Sequence, residues 1–114
     1  MIFEFSLDPD DRAAHDEYAN ESARLRELVA DADGFLGIER FASEHQPGKY
    51  VALGYFRDEA AVAAWRNTSA HRRAQGRGRR RLFTDYRLRM AEVIRDYGPD
   101  DRDHAPADSR RAHG

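Results

Sequence analysis

The chain opens with apolar and polar residues that alternate with a period of two, which predicts a first strand. In MIFEFSL, Phe3 and Phe5 point to one side and the residues between them to the other. Asp8-Pro9-Asp10-Asp11 then has the features of a helix start, with a capping carboxylate and a proline at the first helical position. Apolar residues next recur at intervals of three and four. We therefore expect one amphipathic helix to about Ala32, ended by Gly34.

Two further strands follow, FLGIERFASEH and KYVALGYFRD, joined by a turn at Gln46-Pro47-Gly48. Both carry apolar side chains on both faces. Helices on one side of a sheet leave the other side in water, so we expect the second face to be covered too. Because the chain has few helical segments, a second copy is the simplest cover. The pattern thus predicts a homodimer that packs sheet to sheet.

A second helical region has two parts. Asp58 caps EAAVAAWRN, and Ser69 caps a further helix over AHRRAQGRGRRRLF, which we expect to fray or kink near Gly76. The last strand is predicted from Tyr86 to Tyr97, and residues 98–114, which contain no large apolar side chain, are predicted to be a disordered tail. The order βαββαβ predicts an α+β, ferredoxin-like domain over residues 1–97, with a four-stranded antiparallel sheet.

Composition narrows the classes of function. The 114 residues contain no cysteine, which excludes disulfides, thiolate metal sites and a cysteine nucleophile. No apolar segment is long enough for a membrane span, so we expect a cytoplasmic protein with no membrane partner. A basic run is a candidate nucleic-acid patch, but the formal net charge of −2 favours a solvated surface and no nucleic-acid partner. The run consists of Arg72, Arg73, Arg77, Arg79, Arg80 and Arg81.

Spacing gives no support for a bound metal or nucleotide cofactor. No histidines or carboxylates fall at metal-ligand spacing on one helix face, and no glycine-rich phosphate loop follows a strand. We therefore expect no metal, flavin or nicotinamide site.

Three stretches of sequence resemble the antibiotic biosynthesis monooxygenase superfamily, over about residues 1–97. They are the strand GFLGIERF, the helix phrase AWRN followed by Ser69 and His71-Arg72, and the closing strand YRLR. The resemblance implies dimers with a barrel-like core. It also implies several chemistries, among them cofactor-free oxygenation of phenols and quinols, and haem degradation. The pattern of the haem-degrading members has a histidine nine or ten residues after the tryptophan, where this chain has Ala74 and Gln75. Haem is therefore disfavoured, and no cofactor is expected.

Trp65 and His71 are the predicted catalytic pair. Trp65, on a short helix that faces the sheet, belongs to the core and can also form a pocket wall. His71 lies in the first turn of its helix, where the dipole favours a neutral imidazole that can accept a proton from a phenol. The alternative for His71 is an exposed residue or one that bonds the backbone.

Five further residues are predicted to bind substrate: Asn67, Tyr50, Tyr55, Tyr86 and Arg40. The tyrosines lie on strands predicted to be adjacent, although packing alone would also explain them. Asn67 can orient a ligand or satisfy its own helix end. Arg40 alternates with Leu36 and Ile38, so we expect it to face a covered side and to pair with Glu92 or an anionic ligand.

These residues predict a monooxygenase of secondary metabolism that acts on an aromatic or quinol-like small molecule. One alternative is a non-catalytic module of the same fold that binds a small ligand or haem. The other is an interaction protein that uses its basic patch.

Overall fold

The computed structural model describes residues 1–77 and 82–114, excepting the side chains of Ser69, Ala70 and Arg77. The elements in these ranges, in chain order, are β1 (Ile2–Ser6), α1 (Arg12–Val29), β2 (Phe35–Ala42), β3 (Lys49–Phe56), α2 (Glu59–Arg66), α3 (Ser69–Arg77), β4 (Asp85–Arg89) and α4 (Ala107–His113). The strands form one antiparallel sheet in the order β2-β3-β1-β4. This arrangement confirms the predicted ferredoxin-like α+β fold.

An aromatic cluster centred on Phe5 holds α1 against the sheet. The register places Phe5 between Tyr50 of β3 and Tyr86 of β4. Phe5 is 1% exposed, and its ring centroid lies 4.7 Å from that of Tyr18 on α1 and 5.2 Å from that of Phe83. Burial of aromatic surface is the main source of stability in so small a core.

The ends of α1 differ slightly from the prediction. Asp11, not Asp8, caps the helix by accepting a hydrogen bond of 3.0 Å from the backbone N–H of Ala14. Asp8 instead closes a turn with the N–H of Asp10. The helix ends at Val29, and Gly34 follows with the predicted positive φ, of 82°. A Cβ at Gly34 would lie 2.6 Å from the Cβ of Ala61, so both the backbone and the packing require glycine there.

The second helical region follows the prediction in outline. Asp58 caps α2 through a bond of 2.8 Å from the N–H of Ala61, as predicted. α3 begins at Ser69 and includes Gly76, where the sequence predicts a kink. The prediction also covers residues 78–81, which lie outside the described ranges.

The prediction that the last strand continues to Tyr97 is wrong. β4 ends at Arg89, which pairs with Ile2 at the start of β1. β1 supplies the hydrogen bonds to β4 and begins at Ile2, so within the described ranges the residues after Arg89 have no strand to pair with. Val93 and Ile94, predicted to be strand residues, are 61% and 78% exposed.

The predicted tail contains a short helix, α4. Its alanines and arginines are good helix formers, and Arg110 supports it by donating from Nε to the carbonyl oxygen of the buried Ala105, at 3.1 Å. The tail thus contains one short helix, while the domain boundary at residue 97 and the disorder of residues 98–114 stay predictions.

The two faces of the sheet have different surroundings. Phe3, Phe5, Tyr50 and Ala52 face α1, whereas an apolar patch occupies the opposite face. This opposite face carries Ile2, Phe41, Val51, Leu53 and Tyr55, of which Phe41 is 45% and Tyr55 50% exposed in the single chain. No helix within the described ranges is long and apolar enough to span a membrane.

Candidate functional site

A cavity of about 390 Å³ lies between the helices and the face of the sheet that they cover. Volumes of this order are typical of small-ligand sites. The strands contribute Phe3, Ile38, Arg40, Ala52, Tyr86 and Leu88 to its lining, and α1 contributes Tyr18, Glu21, Ser22, Leu25, Arg26 and Val29. The remaining wall is formed by Val62, Trp65, Arg66, His71, Arg72, Ala74 and Gln75 of α2 and α3, with Met1, Leu82, Phe83 and Met90.

Trp65 and His71, predicted to lie beside a pocket, both line this cavity. Their ring centroids are 5.1 Å apart and the ring planes meet at 67°, an edge-to-face contact. Trp65 is 9% exposed, so it belongs to the core and to the cavity wall at once.

Thr68 fixes this pair, and the sequence analysis missed it. Its hydroxyl donates to the carbonyl oxygen of Trp65 at 2.9 Å and accepts from the N–H of His71 at 3.3 Å. Thr68 is therefore the residue that caps α3, in place of the predicted Ser69. A threonine three residues before His71 is a recognisable capping pattern, but the neighbouring serine fits the pattern almost as well.

His71 is poised as a neutral imidazole. Burial lowers its pKa below the ordinary value of 6.5, and the positive charges of Arg72 and Arg66 lower the pKa further. The positive end of the α3 helix dipole also disfavours the protonated form of His71. Its Nδ1 atom is buried and has no hydrogen-bond partner among the described residues. Because an unpaired buried polar atom is costly, a ligand hydroxyl in the cavity is a suitable partner for it.

Charge in the cavity lining is predominantly positive. Among the described lining residues, Arg26, Arg40, Arg66 and Arg72 contribute cations. The only carboxylate in that set, Glu21, is in an ion pair with Arg24.

Arg40 faces the helix-covered side of the sheet together with Ile38, as predicted, but without the predicted neighbour Leu36 and partner Glu92. Its guanidinium carbon lies 4.9 Å from the ring centroid of Tyr18 and 5.6 Å from that of Tyr50, and Glu92 is not its partner within the described residues. An irregularity in the pairing of β2 between Phe35 and Gly37 leaves Leu36 69% exposed. The predicted alternation of Arg40 with Leu36 therefore fails, while Ile38 and Arg40 do face the cavity.

The three tyrosines predicted to bind substrate do not lie together in the structure. Tyr86 lines the cavity. Tyr50 faces the same side but stacks on Phe5, and its hydroxyl lies 3.5 Å from Nδ1 of His15. Tyr55 lies on the opposite face because it is five residues from Tyr50, and side chains alternate along a strand. Moreover, β3 and β4 are not adjacent, since β1 lies between them.

Asn67 does not line the cavity and serves its own helix end. Its side-chain amide donates to the carbonyl oxygen of Ala63 at 2.9 Å, and its oxygen accepts from the guanidinium of Arg72. Of the two roles considered for Asn67, the structure therefore supports the helix-terminal one.

Within the described ranges, no three of the histidines, aspartates and glutamates lie together in a way that could hold a metal ion. Ala74 and Gln75, at the positions where the resemblance puts a haem ligand, both line the cavity, but neither is a ligand of the expected kind.

The Thr68 cap gives a first prediction. Thr68→Val keeps the shape of the side chain but leaves the His71 N–H without its acceptor. We expect the free energy of unfolding to fall by about 1–2 kcal/mol in urea denaturation, with a shift in the Trp65 emission. The control Thr84→Val removes an exposed hydroxyl that bonds the Ser6 carbonyl at 3.3 Å and should cost about 0.5 kcal/mol or less. Equal losses in the two variants would contradict the assigned role of Thr68.

Protonation of His71 gives a second prediction. As the pH falls below 6.5, the unfolded chain binds a proton at this residue before the folded chain does, because the folded pKa is lower. The wild type should therefore lose stability between pH 7.5 and pH 5.5 more steeply than His71→Gln. The measurement is the free energy of unfolding at each pH. Parallel curves for the two proteins would show that burial does not lower this pKa.

Sequence comparison places the chain among known proteins. The family model described as antibiotic biosynthesis monooxygenase matches residues 1–77. Jasmonate monooxygenase ABM of Pyricularia oryzae is 36% identical over 93 residues, which is 82% of this chain but 42% of that protein. The uncharacterized protein YqjZ of Bacillus subtilis is 31% identical over 78 residues, covering 68% of this chain and 67% of YqjZ. This chain thus spans less than half the length of the Pyricularia relative.

Solved structures share the fold at lower identity. A Nitrosomonas europaea protein, itself only proposed to be an antibiotic biosynthesis monooxygenase, superposes with a TM-score of 0.70 at 11% identity, over 82% of this chain and 86% of that one. SnoaB, a cofactor-independent oxygenase from Streptomyces nogalater, gives a TM-score of 0.63 at 18% identity, over 83% and 94% of the two chains. The structural likeness confirms the fold. With the match of residues 1–77 and the 36% identical relative, it follows that the chain belongs to the antibiotic biosynthesis monooxygenase family.

Proposed function

We propose that this protein is a monooxygenase that oxidises an aromatic or quinol-like small molecule in the cavity beside Trp65 and His71, without a bound cofactor. One observation carries the proposal. A histidine with a lowered pKa, whose Nδ1 has no partner among the described residues, lines a ligand-sized cavity with largely apolar walls.

The reaction requires an electron-rich substrate. In a cofactor-free oxygenation the substrate supplies all the electrons. In an enolised ring ketone a ring CH₂ becomes C=O, and in a quinol a ring C–H becomes C–OH while the ring is oxidised to the quinone. In both cases one oxygen atom of O₂ enters the product and the other leaves as water. Removal of a proton first makes the substrate a better electron donor to O₂. A neutral histidine is a suitable base for that step.

The weak basicity of His71 limits the substrates that can react. A simple phenol has a pKa near 10, against less than 6.5 for His71, so proton transfer between the isolated groups is unfavourable by at least about 5 kcal/mol. Arg66 and Arg72 offset part of this, since the same positive charges that lower the pKa of His71 stabilise a phenolate beside it. We therefore favour acidic quinols and readily enolised ring ketones over simple phenols.

The relatives support the same class of reaction. The Pyricularia relative is called a jasmonate monooxygenase, and the structural neighbour SnoaB is described as a cofactor-independent oxygenase. An apolar cavity serves such chemistry because it orients the substrate and excludes water from the reactive anion.

Ala74 and Gln75 offer no iron ligand, so addition of haem to the protein should leave the Soret band of the haem unshifted.

Oxygen consumption tests the proposal. With a panel of quinols and enolisable ring ketones, the purified protein should consume oxygen and release one oxidised product per O₂. His71→Gln should lower kcat/KM by about 100-fold or more. For the wild type, kcat/KM should rise with pH through a pKa below 6.5, as the imidazole loses its proton.

His45→Gln, at an exposed turn outside the cavity, is the control and should retain activity within about twofold. Absence of uptake with every compound, or uptake that His71→Gln leaves unchanged, would overturn the proposal. Binding without turnover would support the second candidate, a non-catalytic module for small ligands that uses the same cavity.

We also propose that two copies pack through the apolar patch on the opposite face of the sheet. A stable interface needs about 800 Å² from each partner, and a four-stranded face with exposed Phe41 and Tyr55 can supply that area.

Light scattering after gel filtration should give twice the mass of the chain. Phe41→Asp should give the single mass at micromolar concentration, whereas Leu28→Asp, at a position 46% exposed on α1, should not. A monomeric wild type would remove this proposal.

A further inference from the structure

We propose that the ligand of this cavity is an organic acid, an apolar molecule whose carboxylate pairs with Arg40 while its body extends towards Trp65 and His71. The inference deepens the proposed function and rests on it in calling the ligand a substrate. The binding itself requires no turnover.

Arg40 is preorganised to bind an anion. Its guanidinium lies over the rings of Tyr18 and Tyr50, at 4.9 Å and 5.6 Å from their centroids. Such stacking occupies the flat face of a guanidinium and leaves the N–H groups at its edge free to donate. A carboxylate accepts two of these N–H groups side by side, which a hydroxyl cannot do.

Arg40 has no acidic partner of its own. Within the described ranges, no carboxylate lies at ion-pair distance from it and no acceptor takes a hydrogen bond from its side chain. Arg72 differs, since its guanidinium already donates to Asn67 and to Gln75. Arg40 is thus a cation held in place at the cavity with its donors uncommitted.

The charge of the whole lining favours the same ligand. Arg26, Arg66 and Arg72 add to the positive potential, and Glu21, the only carboxylate in the described part of the lining, is bound to Arg24. Arg26, Arg40 and Arg72 are exposed, so water and salt screen part of their field, and the attraction for an anion should depend on ionic strength. An apolar body is implied by the other lining residues, among them Phe3, Leu25 and Val62.

The two ends of the ligand would then have separate partners. Arg40 comes from β2, whereas His71 comes from α3, and both line the same cavity. A carboxylate bound at Arg40 directs the opposite end of the molecule to the rest of the cavity, where Trp65 and His71 form the wall. The acid group therefore orients the substrate and takes no part in the chemical step.

The single tryptophan makes this testable by binding alone. Trp65 emission, excited at 295 nm, should respond to 4-phenylbutanoate and to its uncharged match 4-phenylbutan-1-ol. We expect the acid to bind at least about tenfold more tightly at low salt, the range for a hydrogen-bonded pair that includes a charge. The preference should shrink as sodium chloride is raised.

Arg40→Gln should reduce the preference for the acid to about threefold or less while leaving the affinity for the alcohol within twofold. The matched control Arg12→Gln removes the same charge at the exposed start of α1 and should keep the preference. Near-ultraviolet circular dichroism verifies that both variants are folded. Should Arg40→Gln fail to fold, the wild-type comparison of acid and alcohol with its salt dependence still decides whether the ligand is an anion.

Equal affinities for the acid and the alcohol in the wild type would overturn the inference. A preference that survives in Arg40→Gln would equally overturn the assignment of Arg40. A different result would contradict the proposed function alone. In that case the protein would still prefer the acid but would consume no oxygen with any compound.

Discussion

The hydroxyl of Thr68 links α2 to α3 and so fixes the part of the cavity wall that contains Trp65 and His71. It donates to the last turn of α2 at Trp65 and accepts from the first turn of α3 at His71. Two short helices are thereby locked at one junction, and their two ring side chains meet edge to face. Without this link, neither helix has enough residues to fix the position of its end, since isolated helices of this length are unstable in water.

The cavity lies between two parts of the core that pack separately on the same face of the sheet. The Phe5 cluster binds α1 to the sheet, and the Trp65 side of α2 packs on the same face, so a space remains between the two attachments. That space contains one feature that is costly in an empty core, the buried Nδ1 of His71, which has no partner among the described residues. A ligand hydroxyl would offset that cost, and the guanidinium groups in the more exposed parts of the lining would attract an anion.

The order of elements could be predicted because it rests on local patterns, such as the alternation in MIFEFSL, the cap at Asp58 and the left-handed turn at Gly34. The proximity of Trp65 and His71 was also predictable, since only a few residues separate them. What could not be predicted depends on pairing between distant strands. The end of β4 is set by the start of β1, and the face on which Tyr55 lies is set by the register of β3. Arg40 illustrates the same limit, because its stacking on Tyr18 joins residues of β2 and α1 that no local pattern connects.

The central claim is that His71 faces a ligand site as a neutral imidazole, and nuclear magnetic resonance tests it most directly. Long-range ¹H–¹⁵N spectra of the His71 ring, recorded across the pH range with and without 4-phenylbutanoate, give its pKa and its response to a ligand. We expect a pKa below 6.5 in the free protein and a shift of the ring nitrogen resonances when the acid is added. A pKa of 6.5 or higher, with ring resonances that the ligand leaves unmoved, would contradict the account.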